Sequence, residues 1–220
     1  MQSLRDIYLA TKTLIVSDFD GTISTADVGF EIIKKFASGE WEEIDRAYCE
    51  GKIGSKDAYT QIAALINASR DEMVAYALRY GRIDPHFKEF YRFCTHNHLD
   101  LTIVSDGLDF YIDAILRKNG IGDITYFANR VRFSDNKICI EFPQSNDLCE
   151  KCGTCKSKII EHYRLTYENI IYIGNGYSDI CPAQVADVLF AKDILYDTCV
   201  KNGRDCIRYD HFGDIRNSMK

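Results

Sequence analysis

Two carboxylates stand one residue apart where an apolar run ends: Thr13-Leu14-Ile15-Val16-Ser17 leads into Asp18-Phe19-Asp20-Gly21-Thr22. A strand alternates its side chains with a period of two, so Asp18 and Asp20 leave the strand end on the same side. Carboxylates held that close repel unless a cation or a proton lies between them. The pattern points to a divalent metal and acid–base chemistry rather than to a solvated acidic turn. Two more polar clusters follow apolar runs, Ser105-Asp106-Gly107 and Gly174-Asn175-Gly176-Tyr177-Ser178-Asp179. Lys156 and Lys158 open a helical pattern, and a helix N-terminus is a poor place for a lysine on dipole grounds. A lysine kept there suggests a use.

These groups need elements that bring them together. The first strand is read at residues 13–17. From Asp27 to about Arg82 the pattern is helical, with Phe30, Ile32, Ile33 and Phe36 on one face and Ala58, Ile62, Leu65 and Ile66 on another. Ser55 with Lys56-Asp57 reads as a helix start. Nothing strand-like interrupts this stretch, which predicts an all-helical insertion. Pro85 opens a further helix with Phe87, Phe90, Tyr91 and Cys94 on one face. Strands follow at 99–104, 124–128, 169–173 and 188–191, with a β-hairpin over 130–142 turning at Asp135-Asn136. Helices alternate with them at 109–119, from Lys156 to about Leu165, after Asp179, and last from about Asp193. Strands alternating with helices imply an α/β fold with a doubly wound parallel sheet, here carrying a small all-helical cap inserted after the first strand. The expected division is a core of residues 1–26 and 83–220 and a cap of residues 27–82. Such sheets bind ligands outside the carboxyl ends of their strands, where all three polar clusters fall.

Composition bounds the function. The chain has 220 residues and a net charge of -6, which leaves no basic footprint for nucleic acid. Its apolar runs are far too short for a membrane span, and Met1-Gln2-Ser3-Leu4-Arg5-Asp6 has no apolar signal core, so a cytoplasmic location is expected. Nine cysteines, an odd number without a signal peptide, argue against a secreted disulfide scaffold. Cys149, Cys152 and Cys155 form two overlapping C-x-x-C units open to zinc or redox readings, with His162 the nearest candidate for a fourth ligand. His96 and His98 read as an exposed helix end. Oligomeric state is not legible.

The string from Asp18 to Thr22 resembles the first motif of the haloacid dehalogenase superfamily, most of whose members are magnesium-dependent phosphatases. The later clusters resemble its other motifs, and the likeness covers nearly the whole chain. The resemblance implies that Asp18 is a nucleophile and Asp20 a general acid and base whose carbonyl is a metal ligand. Ser105 and the amide of Gly107 would bind phosphate, with Lys156 rather than Lys158 as the motif lysine. Asp18, Asp20, Asn175 and Asp179 would hold magnesium (Mg2+). Asn175 departs from the family, which usually has an acidic residue there. Asp18, with a reference pKa of about 3.9, is expected to be ionised at neutral pH without help, while crowding by Asp18 raises that of Asp20.

The helical insertion and Phe127-Ala128-Asn129-Arg130-Val131 resemble the phosphoserine-phosphatase-like branch, subfamily IB. Gly39-Glu40-Trp41, the cysteines before Lys156 and Phe190-Ala191-Lys192-Asp193 look closer to the methionine-salvage phosphatases acting on 2-hydroxy-3-keto-5-methylthiopentenyl-1-phosphate. Asp179-Ile180-Cys181-Pro182 is similar to the phosphocholine/phosphoethanolamine phosphatases. Asp27 matches an acidic residue that reads the substrate amine in phosphoserine phosphatases, and could equally cap a helix. The implied partner is a small phosphorylated metabolite. A weakly catalytic phosphate-ester-binding or regulatory protein is the alternative that Asn175 motivates, and a phosphotransferase or mutase could use the same Asp18.

Overall fold

The computed structural model describes Tyr8 and residues 11–134, 137–149 and 151–220. The described residues build a seven-stranded sheet with β1 (Thr13–Ser17) at its centre. On one side β1 pairs in parallel with β2 (Asp100–Leu108), which pairs with β3 (Thr125–Ser134), which pairs antiparallel with β4 (Lys137–Glu141). On the other side β1 pairs with β5 (Asn169–Gly174), then β6 (Val188–Ala191) and β7 (Ile207–Arg208), all parallel. The chain thus winds outward from β1 in both directions, which opens a crevice at the carboxyl ends of β1, β2 and β5.

Alternation decides the layers. Ile15, Ile103, Ile171, Ile173 and Phe190 face one core, shared with α5 (Phe87–His96), α6 (Asp109–Lys118) and α10 (Phe212–Ser218). Leu14, Val16, Val104, Ile170, Tyr172 and Leu189 face the other, covered by α7 (Lys156–Tyr163), α8 (Ile180–Val185) and α9 (Asp193–Asn202). Every residue of β1 is buried, as a central parallel strand covered on both faces requires.

Between β1 and α5 lie α1 (Val28–Phe36), α2 (Trp41–Cys49), α3 (Ser55–Ala63) and α4 (Arg70–Tyr80). The chain leaves and returns side by side: Ser24 pairs antiparallel with Ile83, Thr25 N donates to Arg82 O at 2.8 Å, and Asp84 N donates to Ile23 O at 2.8 Å. No helix among the described residues is long and apolar enough to cross a membrane.

Several boundaries differ from the sequence reading. β2 does not stop at Val104 but runs through Ser105-Asp106-Gly107 to Leu108, with a register shift against β3 in that stretch. β3 is one long strand that closes the parallel sheet and then forms the first arm of the hairpin. The turn at Asp135-Asn136 lies outside the described residues. The helix start read at Ser55 does hold: α3 begins there, with Gly54 in the cap position. α9 is not the last helix. β7 and α10 follow it, and β7 is too short to show a period.

Candidate active site

A cavity of about 350 Å3 separates the carboxyl ends of the central strands from α1, α2 and α3. Its floor is Asp18, Asp20, Ser105, Asp106, Gly107 and residues 175–178. Its roof includes Phe30, Ile33, Asp45, Tyr48, Tyr59 and Ile62. The stretches at residues 18–20, 105–107 and 175–178 line this floor, and Lys156 and Asp179, which do not line the cavity, join it through hydrogen bonds from Lys156 to Asp18, Ser178 and Asp179.

Lys156 is the hub. Only 2% exposed, it donates from Nζ to Asp18 Oδ1 at 2.7 Å, to Asp179 Oδ1 at 2.6 Å and to Ser178 Oγ at 3.0 Å. These bonds explain a lysine at a helix N-terminus, where the dipole disfavours it. Burial acts to lower its pKa, but Asp179 and Asp18 overcome that and hold it above its ordinary value. Lys158, two residues on, is exposed and donates to Ser145 O at 2.9 Å, well away from the floor.

Asp179 is saturated. Besides Lys156, its Oδ1 accepts from Tyr172 Oη at 2.5 Å, and its Oδ2 accepts from the amides of Asn175 and Gly176 at 2.9 Å each. A carboxylate offers about four acceptor positions, and all are taken. Burial alone would raise its pKa, yet Lys156, the Gly176 amide and Tyr172 keep it below the usual carboxylate range. It does not cap α8 with its side chain.

Asp18 departs from expectation. Burial, and then repulsion from Asp179, lift its pKa from 3.8 to about 7 against the pull of Lys156. It is therefore not ionised without help; the neighbouring cation is what supports the charge. Asp20 is also raised, well above the ordinary range, by burial and then by Asp27, with the Tyr111 hydroxyl opposing. Its Oδ2 accepts from Tyr111 Oη at 2.5 Å and its Oδ1 from Val28 N at 2.9 Å. One carboxyl is thus paired with a cation, while its neighbour favours the protonated form.

Ser105 and Gly107 sit together, but the Gly107 amide donates to Ser105 Oγ at 2.9 Å, so it does not stand free for a ligand as the sequence reading supposed. This bond lies in the stretch where β2 shifts register against β3. Asp106 is held by its own partners: its Oδ1 accepts from Thr154 N at 2.8 Å and Asn129 Nδ2 at 3.1 Å. Asp27 caps α1, its side chain accepting from Phe30 N at 2.8 Å, and it also lines the cavity.

Asn175 Oδ1 accepts from Thr22 Oγ1 at 3.0 Å. Gly21 has φ +70, and a Cβ there would come within 2.4 Å of the Asn175 side chain, so the turn after Asp20 requires glycine. Donors lining the cavity on this side include the Asp18 carboxylate and the Asn175 amide oxygens. They are all oxygens, which fits a small hard dication such as magnesium, with less negative charge than two carboxylates would give. No three His, Cys, Asp or Glu side chains among the described residues are arranged to hold a metal. The zinc reading therefore gains no support: Cys155 is buried at the start of α7, while Cys149 is exposed and His162 lies exposed near the end of the helix.

Sequence reasoning missed the roles of Tyr172, Tyr111 and Ser178, whose hydroxyls bond the charged groups, of Thr22, whose hydroxyl bonds Asn175, and of the roof residues Asp45, Tyr48 and Tyr59. Tyr172 carried a signal: it is a lone hydroxyl in an apolar strand, two residues before Gly174.

With this geometry in view, three comparisons bear on the site. The family model described as Putative Phosphatase matches residues 13–196. A 2-hydroxy-3-keto-5-methylthiopentenyl-1-phosphate phosphatase of Brevibacillus brevis is 31% identical over 86% of this chain and 86% of its own length. The enzyme of the same name from Bacillus cereus is 30% identical over 94% and 95%. Among solved structures, a substrate-bound phosphoserine phosphatase superposes with a TM-score of 0.71 at 22% identity, covering 95% of this chain and 99% of that one.

Proposed function

This chain belongs to the putative phosphatase family, within the haloacid dehalogenase superfamily of phosphatases, and on that premise we propose how it works and on what. The phosphoryl group of a small phosphomonoester passes to an Asp18 carboxylate oxygen as the bond from phosphorus to the leaving oxygen breaks. Asp20 gives its proton to that oxygen, releasing an alcohol. Asp20, now ionised, takes a proton from water, whose oxygen attacks the aspartyl-phosphate. Phosphate leaves, and both carboxyl groups return to their starting states. The observation that carries this reading is the contrast between the two aspartates, one bonded to Lys156 and the other held toward its protonated form.

Lys156 supports the charge of Asp18, and Asp179 keeps Lys156 in place through the bonds that saturate it. Ser105 is positioned to donate to a phosphate oxygen. Asp18, the Asp20 carbonyl and Asn175 would hold magnesium, which when bound offsets repulsion between the Asp18 anion and the phosphate. Asp179 acts on that site through Lys156 and the Asn175 amide rather than as a direct ligand. Residues 27–82 act as a cap that closes over the substrate.

The described residues lining the cavity include no lysine or arginine. A substrate with a carboxylate at its organic end, such as phosphoserine, would find no counter-charge there. A neutral organic end suits the apolar roof, as in the 2-hydroxy-3-keto-5-methylthiopentenyl-1-phosphate named for the relatives. A second reading, an amine-bearing ester of the phosphoethanolamine or phosphocholine kind, is favoured by Asp27 and Asp45 in the roof beside Phe30, Tyr48 and Tyr59. Phosphate release from a panel of these esters, with magnesium and with chelator, tests the proposal. Magnesium-dependent release is expected, fastest on an ester without a carboxylate. Tight ester binding without release would support a regulatory protein instead, and transfer of the phosphoryl group to added alcohols a phosphotransferase.

A further inference from the structure

Resting on the role proposed for Lys156, we propose that Gly54, Ser55 and Asp106 form a clasp through which the seating of α3 sets the position of that lysine. The loop of residues 151–155 runs straight into Lys156. On its outer side it grips the start of α3: Gly153 N donates to Ser55 Oγ at 3.1 Å, and Lys56 N donates to Lys151 O at 3.2 Å. A Cβ on Gly54 would lie 2.0 Å from Lys151 O, so the two backbones meet with no room for a side chain. On its inner side the loop is fixed to the sheet. Thr154 N donates to Asp106 Oδ1 at 2.8 Å, and Thr154 Oγ1 donates to Asn129 Oδ1 at 3.1 Å. Asn129 Nδ2 in turn donates to the main-chain oxygen of Asp106 at 2.6 Å.

Asp106 is a buried carboxylate held by neutral donors from two segments, the Asn129 amide and the Thr154 backbone, and the Ser55 hydroxyl acts with them against the upward push of burial on its pKa. A buried, multiply bonded polar network of this kind favours one arrangement and resists partial loosening. α3 also supplies Ala58, Tyr59 and Ile62 to the roof. Contact between the roof and the organic end of a substrate would therefore seat α3, fix the loop and place Lys156 between Asp18 and Asp179. Binding energy from a remote part of the substrate would be used at the reacting centre. Asp106 and Ser55 are positioning residues in this scheme, acting through Lys156.

Gly54→Ala is the sharpest probe. The backbone at Gly54, φ -85 and ψ 167, suits alanine, so the substitution acts by pressing on the Lys151 carbonyl. With p-nitrophenyl phosphate we expect kcat to fall at least about tenfold, since small misplacements of a catalytic group are costly, and KM to change much less. Ser55→Ala should do the same and Ser55→Thr should restore most of the loss. The Gly54→Ala, Ser55→Ala double variant should be no worse than the worse single one. Amide hydrogen exchange should rise together at residues 54–58 and 151–158 in each impaired variant. A lowered melting temperature with unchanged kcat and unchanged exchange at 151–158 would overturn the clasp, as would additive losses. If the wild-type protein releases no phosphate, the catalytic reading fails on its own account, and the exchange data still decide whether α3 and the lysine loop move as one.

Discussion

The floor and the roof of the cavity are built on opposite principles. On the floor, charged groups are buried and multiply bonded: one lysine serves two carboxylates, and one of those carboxylates has every acceptor position filled. The roof is rings and aliphatic chains with two carboxylates, drawn from helices outside the sheet. Tyr177 and, at the start of α9, Ile194 also line the cavity and are 46% and 40% accessible, extending its apolar character outward. The floor is rigid because chemistry with charge needs preorganised partners. The roof is free to vary because reading an organic group takes shape more than charge. The difference predicts that floor substitutions change turnover and stability together, whereas roof substitutions change which ester is preferred.

The largest effect should come from Asp18→Asn. Loss of the nucleophile should lower kcat by on the order of 10^4-fold or more. The same variant should be more stable than wild type at and above neutral pH, because Lys156 then faces one buried carboxylate instead of two. The sign follows from linkage. The folded pKa of Asp18 is raised from 3.8 to about 7, so between those values the folded protein holds a proton that the unfolded chain has lost. Wild-type stability should fall with rising pH across that window, and the variant should lack that component of the fall. Melting curves of metal-free protein at several pH values check this; parallel curves for the two proteins would break it.

Lys156→Met should come next. It leaves Asp18 and Asp179 buried without their cation, and breaking a buried pair from one side costs roughly 3–5 kcal/mol. Denaturant unfolding measures this, and an unchanged midpoint would mean that the floor does not depend on its hub. Asn175→Asp restores a second carboxylate to the donor set and should tighten magnesium binding by about tenfold, as affinity follows ligand charge. Calorimetric titration with magnesium reads the change directly. The smallest effect belongs to the roof. Asp45→Asn should raise KM severalfold for an amine-bearing ester, on the scale of a modest charge contact, and leave p-nitrophenyl phosphate nearly untouched. Equal losses on both esters would erase the distinction between floor and roof.

The same contrast explains what could be read from the sequence. The floor was legible because each of its groups follows an apolar strand in a short string: Asp18-Phe19-Asp20, Ser105-Asp106-Gly107 and the run from Gly174 to Asp179. The helix dipole drew attention to the lysines opening α7, and the motif resemblance chose Lys156 over Lys158. The roles of Asp106 and Gly107 were not legible, since both depend on how β2 shifts register beyond Val104. The raised pKa of Asp18 depends on burial, which no string of residues states. The roof was legible only as helices. Asp45, Tyr48 and Tyr59 meet in space because α2 and α3 fold toward one another, and their spacing in sequence carries no chemical motif. β7 and α10 were lost for a simpler reason, the brevity of the one and the short apolar signature of the other, Phe212, Ile215 and Met219.

The measurement that bears most directly on this account is mass spectrometry of the enzyme quenched in acid during turnover of a phosphomonoester with magnesium. The account predicts a phosphoryl group on the peptide containing Asp18, absent in Asp18→Asn and accumulating when Asp20 is replaced by asparagine, which can no longer activate water. Steady phosphate release with no labelled Asp18 peptide in either protein, or undiminished release from Asp18→Asn, would contradict it.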